Sequence, residues 1–467
     1  MLNYFPKYFS SRAIMAYFIT LALVSGIFFS RVMPIQFVLF GVIAVLVFFV
    51  FANKLTMSWG KYPERYFSRK LFTTALLIRL IYVVFIYFYY ISATGAPHAF
   101  HAADEHFYHY AAKEWYDHGL EGFRDYLKNW VDFSDSGYCW WLAILYLPFG
   151  PYVLVGRVVK CFIDAFSCVL LYNIGKRNFG DAAGRIGAIF YMLMPNAWLY
   201  CGVTLKEIEM AFLIILFVER GDLAIRSPKL KLQDLILPLI IIGVMVTFRT
   251  PIAAVLAASM VGALIFTTKK QLQLWKKILY ISVFAVWMLS TIGVELLQEA
   301  KMLWEGRAEN QTVGYQYRSE RVGGNDFAKY ASATVFAPLI FTIPFSSMVA
   351  TPDQENQMMM NGANFIKNIM SGLTILALFL LLIRGDWRKH VLPIAVMCGY
   401  LVVLVFSNFA HSERFHFPVL ALELMFAAYG VTQLTNKHKR WFMIWLVGIC
   451  IANIVWAYIK LKGRGLA

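Results

Sequence analysis

The chain has 467 residues, of which 60% are hydrophobic, 17% aromatic and only 15% charged, with a mean hydropathy of +0.60 and a net charge of +16. Soluble domains carry about 45–50% apolar and about 25% charged residues, so a soluble enzyme, a disordered chain and a disulfide scaffold are excluded. The apolar residues fall in runs of about 20, the length that crosses about 30 Å of hydrocarbon. They predict an all-α polytopic membrane protein.

In chain order the predicted spans run over 13–30, 34–52, 71–92, 150–174, 183–200, 206–219, 234–248, 251–268, 278–297, 366–383, 391–407, 417–434 and 441–459, about 13 transmembrane helices. An odd number puts the termini on opposite sides. With the N-terminus inside, the inner connections 1–12, 53–70, 175–186, 220–233, 269–277, 384–390 and 435–440 hold 24 Lys and Arg. The short outer connections hold Arg31, Lys206, Arg249 and Arg414, with three more cations in the C-terminal tail. Basic residues concentrate on the cytoplasmic side, so this orientation is expected. The positive charge then reads as a topology signal that also suits anionic lipid, and no nucleic-acid partner is needed.

Residues 1–70 read as an N-terminal hairpin with a basic cytoplasmic loop, 71–297 as a core, 298–365 as a large outer loop and 366–467 as C-terminal helices. The six cysteines show no metal spacing. Cys139 and Cys201, near the predicted outer surface, are the one pair considered for a disulfide.

Two long connections, 93–149 and 298–365, fall outside and are expected to carry interfacial helices. The apolar centre of the second, 331–350, is interrupted by Pro338 and Pro344. It is read as a re-entrant or surface-lying helix, because a further span would reverse the charge bias of the last four segments. Long loops in compact proteins are usually functional, so any chemistry should face outside.

The densest polar cluster runs from His98 to Trp115 and includes Asp104, Glu105, His106, Tyr108 and His109. Helical spacing puts Asp104 and Tyr108 on one face, with the acid in the first turn. A purely structural reading is an interfacial helix capped by its own acid. The intramembrane charges Arg79, Arg157, Lys160 and Asp164 are expected to be structural: Lys160 and Asp164 stand at i,i+4 and can pair, and Arg79 is close enough to the inner surface to snorkel. His106 and His109, at i,i+3 beside two acids, permit a divalent metal but lack the three or four spaced ligands of a zinc site. These residues do not by themselves demand a cofactor, and a divalent metal stays open.

The acidic pair followed by Tyr108 and by Ala111 and Ala112 resembles the signature of the GT-C membrane glycosyltransferases. The branch most similar is that of the protein O-mannosyltransferases and lipid A aminoarabinose transferases. Gly137-Tyr138 and Phe149-Gly150, Gly156-Arg157-Val158 through Gly175-Lys176-Arg177-Asn178-Phe179-Gly180, Pro195, Arg249-Thr250-Pro251 and Glu413-Arg414-Phe415-His416-Phe417-Pro418 have counterparts in the same order. The resemblance covers about 71–434 and is loose after 270. It departs at Cys139-Trp140-Trp141, where the pattern often has a proline. It departs again at Leu205-Lys206-Glu207-Ile208-Glu209, which looks more like the Lys-Glu turn of enzymes that build bacterial surface polysaccharides.

The resemblance implies a sugar donor on a polyprenyl phosphate and attack on the anomeric carbon by an acceptor hydroxyl, with inversion. Asp104 is then the base, and Glu105 orients the acceptor or shares that role. Adjacent carboxylates diverge on a helix, so one alone should face the sugar. Lys206, Arg249 and Arg414 are the candidates for the donor phosphate, with Tyr108, Glu207 and His411 as sugar contacts. Structural alternatives stay open: Lys206 beside Glu207 and Glu209, and Arg414 paired with Glu413. The acceptor is a glycan, a lipid or a protein of the cell envelope. The expected setting is a bacterial inner membrane with a periplasmic site, ahead of the endoplasmic reticulum. A surface-polysaccharide polymerase and a secondary transporter are the competing functions.

Overall fold

The computed structural model describes residues 2–226, 232–267, 337–407 and 409–466, with isolated positions between 268 and 336. The predicted span 278–297 and the first part of the large outer loop lie outside the described residues, apart from those positions. Among the described residues the architecture is helical, as a chain immersed in lipid requires: each backbone N–H and C=O must be satisfied within the protein.

The helices are α1 (Lys7–Ile27), α2 (Ile35–Trp59), α3 (Glu64–Thr94), α4 (Ala103–Trp130), α5 (Phe133–Phe149), α6 (Val153–Phe179), α7 (Asp181–Leu193), α8 (Pro195–Cys201), α9 (Glu207–Arg226) and α10 (Leu232–Phe266). After these come α11 (Glu355–Met359), α12 (Asn361–Ile383), α13 (Val391–Val405), α14 (Glu413–Thr432) and α15 (His438–Lys462). Among the described residues seven helices are long and apolar enough to cross a membrane: α1, α2, α3, α10, α12, α14 and α15. The protein is a multi-pass membrane protein. That count covers the described residues alone, without the predicted run 278–297, and three of the other predicted runs fall outside it for identifiable reasons. The run 183–200 is divided between α7 and α8 at Pro195, α13 has only 15 residues, and α6 carries three charges in its outer half.

The predicted spans 234–248 and 251–268 are the two arms of α10. At Arg249 the backbone is extended (φ −169°, ψ 101°), and Pro251 follows, without an N–H to continue the ladder. The arms double back. Asp234 lies 3.7 Å from Arg220 near the end of α9, and a Cβ on the adjacent Gly221 would touch Leu392 and Met260. An unbroken helix would separate Asp234 from Met260 by about 39 Å. Arg249 therefore stands at a turn, on the end of the bundle opposite the basic connections.

The outer segment 331–350 differs from expectation. Its described part is a short 3-10 turn, Ala337–Leu339, followed by a buried extended stretch in which Val349 bridges Val32 antiparallel. Non-helical backbone at this depth is tolerated only when the protein satisfies it, and helix side chains do so. Asn368 donates to the Pro344 carbonyl at 2.8 Å, and Asn453 accepts from the Ser346 N–H at 2.7 Å. Close helix contact brings this wall in: a Cβ on Gly362 of α12 would sit 2.4 Å from the Gly41 carbonyl of α2.

Two charge expectations are corrected. Arg79 does not snorkel; it is fully buried and paired with Asp164, and it donates to the Met192 carbonyl at 3.1 Å, while the Tyr191 hydroxyl donates to Asp164 at 2.5 Å. Lys160 and Asp164 do not pair. Lys160 turns to the Val203 carbonyl at 2.9 Å and lies 3.7 Å from Glu209. With no water available, each charge takes the partner that an adjacent helix presents rather than its i,i+4 neighbour. All six cysteines are free, so Cys139 and Cys201 form no disulfide.

Candidate active site

The first outer loop folds back as α4 and α5, which pack on each other. α4 begins with Asp104 and Glu105 in its first turn, where acids complement the exposed N–H groups of the helix end. The two carboxylates diverge. Asp104 is 57% exposed and accepts from Arg414, at the start of α14. Glu105 is 1% exposed and accepts from Arg157 at 3.0 Å and from the Thr204 N–H at 3.1 Å, with His98 Nδ1 3.5 Å away. Burial alone would raise its pKa, but His98, the Arg157 charge and the Thr204 amide hold it below the ordinary carboxylate range. Glu105 thus ties α4 to α6 and to the turn before α9.

Arg414 is shared: it also donates to Glu207, the first residue of α9, so the alternative pairing with Glu413 is not made. Glu207 is buried, and its second oxygen has no hydrogen-bond partner among the described residues. Lys206 turns away from Glu207 and Glu209. Its ammonium donates to Asp135 of α5, to the Ser134 carbonyl at 3.2 Å and to the Phe248 carbonyl. Arg249, next in the chain, lies with its guanidinium 4.1 Å from the centre of the Phe415 ring, and Arg414 stands 5.9 Å from the same ring. Both distances are within cation–π range. Among the described residues Arg249 has no ion pair, which leaves its N–H groups available to an anion.

Tyr108, one turn after Asp104, is buried with its ring edge-on to Tyr138 at 5.0 Å. Burial, reinforced by the charge of Asp135, pushes its hydroxyl pKa up, so it stays a neutral hydrogen-bonding group. His411 lies in the turn leading into α14, three residues before Arg414 and close to His416. His109 Nδ1 lies 2.9 Å from the Tyr146 hydroxyl, and His106 packs on His98 with ring centres 4.1 Å apart. Among the described residues no three His, Cys, Asp or Glu side chains gather as a metal site.

The site thus brings Asp104, Tyr108, Lys206, Glu207, Arg249 and Arg414 to one end of the bundle from α4, the turn before α9, α9 itself, α10 and α14. Sequence reasoning missed Asp135, which holds Lys206, and the role of Phe415 as a shared platform. No local signal marks Asp135 as the partner of a lysine 71 residues away. Phe415 sits inside a quoted motif, where its position between Arg414 and His416 was the available hint.

Residues 359–462, from the end of α11 through α15, match the model of the Alg9-like mannosyltransferase family. The match indicates a glycosyltransferase. It covers the helices that carry Arg414 and Phe415 and supports the GT-C type that the sequence resembles. A crystal structure of ArnT from Cupriavidus metallidurans in the apo state is similar, with a TM-score of 0.46 and 14% identity, covering 79% of this chain and 72% of that one. Comparison with curated proteins returns no match.

Proposed function

We propose that this membrane glycosyltransferase moves a sugar from a polyprenyl-phosphate donor to an acceptor hydroxyl, at the outer face of a bacterial inner membrane. The observation that carries the reading is one exposed carboxylate, Asp104, paired with Arg414, which shares the Phe415 ring with Arg249, a guanidinium that has no ion pair among the described residues. The outer placement rests on the basic connections, which cluster at the opposite end of the bundle.

In this reading the donor phosphate lies against Arg249 and draws Arg414 toward it, relieving Arg414 of part of its hold on Asp104. The acceptor oxygen attacks the anomeric carbon from the face opposite the phosphate. Its proton passes to the Asp104 carboxylate as the bond from the anomeric carbon to the phosphate oxygen breaks, and the phosphate leaves with the bonding electrons. Attack from the opposite face inverts the anomeric centre. Tyr108 and Glu207 border the sugar, His411 flanks it from the turn before α14, and Glu105 and Lys206 position the two walls.

Arg249→Ala removes a site cation that has no ion pair among the described residues and should weaken polyprenyl-phosphate binding. Charge-assisted hydrogen bonds are worth about 1.5–3 kcal/mol, or roughly 10–100-fold in affinity. Binding of undecaprenyl phosphate in detergent tests this, and unchanged affinity would overturn the phosphate role. Because the Arg249 and Arg414 guanidiniums stand where the phosphate charge develops in this reading, treatment with a chelator should leave the transfer rate unchanged. A rate that falls and is restored by added magnesium or manganese would put a divalent ion in the reaction.

A further inference from the structure

The first and last helices of the chain are alike in charge. Residues 1–63 and 424–467 contain no Asp or Glu, so α1, α2 and α15 carry no carboxylate of their own. Cations gather where α1 and α15 begin: Lys7 and Arg12 on one, and Lys437, Lys439 and Arg440 at the start of the other. The two helices pack side by side and run parallel. Phe9 meets Phe442 with ring centres 4.9 Å apart, and the Thr20 hydroxyl lies 2.9 Å from the Cys450 sulfur. Their starts therefore lie together, at the basic end of the bundle. The Tyr8 ring stands between them, with the Arg12 guanidinium 5.7 Å and the Lys439 ammonium 5.2 Å from its centre, both within cation–π range.

These five cations have no counter-charge among the described residues. The carboxylates of the same end are engaged elsewhere: Glu64 holds Lys176, Asp181 holds Arg185 and Asp386 holds Lys389. Like charges packed this closely repel, and more strongly at a hydrocarbon boundary than in water. Each group of cations also stands at the end of an apolar stripe. Arg12, Met15 and Ile19 follow one another along one face of α1, and Arg440, Ile444 and Val447 repeat that spacing along α15. All six are exposed, on two helices that are apolar and long enough to cross a membrane. A ligand for this seam needs an anion at one end and hydrocarbon beyond it. A zwitterionic phospholipid would bring an ammonium group of its own to a patch that holds only cations. A headgroup whose one charge is a phosphodiester does not.

We propose that the seam between α1 and α15 is a binding site for an anionic phospholipid whose headgroup is otherwise uncharged, as in phosphatidylglycerol. Its phosphodiester lies against Arg12 and Lys439, with Lys7, Lys437 and Arg440 around it, and its chains lie along the two stripes. The lipid supplies the counter-charge that these helices lack, and so joins the first helix of the chain to the last. The site is at the opposite end of the bundle from Asp104 and is independent of the transfer reaction.

The test uses the full chain, stripped of lipid in a neutral detergent, with binding of dioleoyl phosphatidylglycerol and dioleoyl phosphatidylcholine read by native mass spectrometry. Phosphatidylglycerol should bind at least about tenfold more tightly. The variant Arg12→Gln/Lys439→Gln/Arg440→Gln should lose at least about tenfold of that affinity. The variant Arg65→Gln/Arg69→Gln/Arg388→Gln removes the same charge from exposed positions at the same end and should keep it. Unfolding midpoints supply a second reading. Without lipid the first variant should be at least as stable as the parent, because repulsion between α1 and α15 is relieved. With phosphatidylglycerol the parent and the second variant should gain stability and the first should not. Equal binding of the two lipids, or equal loss in the two variants, would overturn the site. Displacement of the lipid by glycerol 3-phosphate at equal concentration would overturn it too, by making the patch a site for soluble phosphates.

Discussion

Asp104→Asn is expected to lower kcat by about 10²–10⁴-fold, the usual contribution of a positioned base, while the protein folds normally. The asparagine keeps the shape and the hydrogen bond that Arg414 needs but cannot take a proton. Its structural cost is small, because the Asp104 carboxylate is 57% exposed and exposed ion pairs contribute about 0–1 kcal/mol. Donor affinity should hold or rise slightly, since Arg414 is released from a competing charge. The comparison that isolates the base is Glu105→Gln. That change leaves Arg157 buried without its counter-charge and should reduce the amount of folded protein rather than kcat alone. Single-turnover rates with saturating donor separate the two. A parental kcat in Asp104→Asn would return Asp104 to the role of a helix-end acid.

The parts of this site that the sequence displayed are those whose signal is local. Asp104 and Tyr108 share a helix face, and Arg249 beside Pro251 marks a break between two short apolar runs. What could not be read is which charge meets which. Lys160 and Asp164 have ideal spacing on α6, yet one faces α9 and the other faces α3, because helix rotation is set by packing across the whole bundle. The segment 337–350 failed for a related reason. Its apolar composition suits a membrane helix, but Asn368, Asn453 and Lys367 on distant helices supply partners that let it run extended. Even the division of labour in the acidic pair depends on Arg157 and Thr204, 52 and 99 residues away.

The largest stability effect is expected at the pair that sequence reasoning separated. Arg79 and Asp164 are both fully buried and held by Met192 and Tyr191. Removing either partner leaves an unpaired charge in a medium that cannot solvate it, at a cost of about 3–5 kcal/mol. Arg79→Met and Asp164→Leu should each cut the yield of folded protein and lower the unfolding midpoint in detergent sharply. The double variant should recover most of that loss, because well-packed apolar side chains replace a buried ion pair at little cost or with a gain. Activity should follow stability, since the pair lies deep between α3 and α6 and touches none of the residues around Asp104. A double variant that folds but transfers no sugar would show that this charge pair sets the angle of α3, and with it the position of the catalytic loop that α3 carries. A double variant no more stable than either single one would mean that the two residues are not coupled and that Tyr191 and Met192 hold them independently.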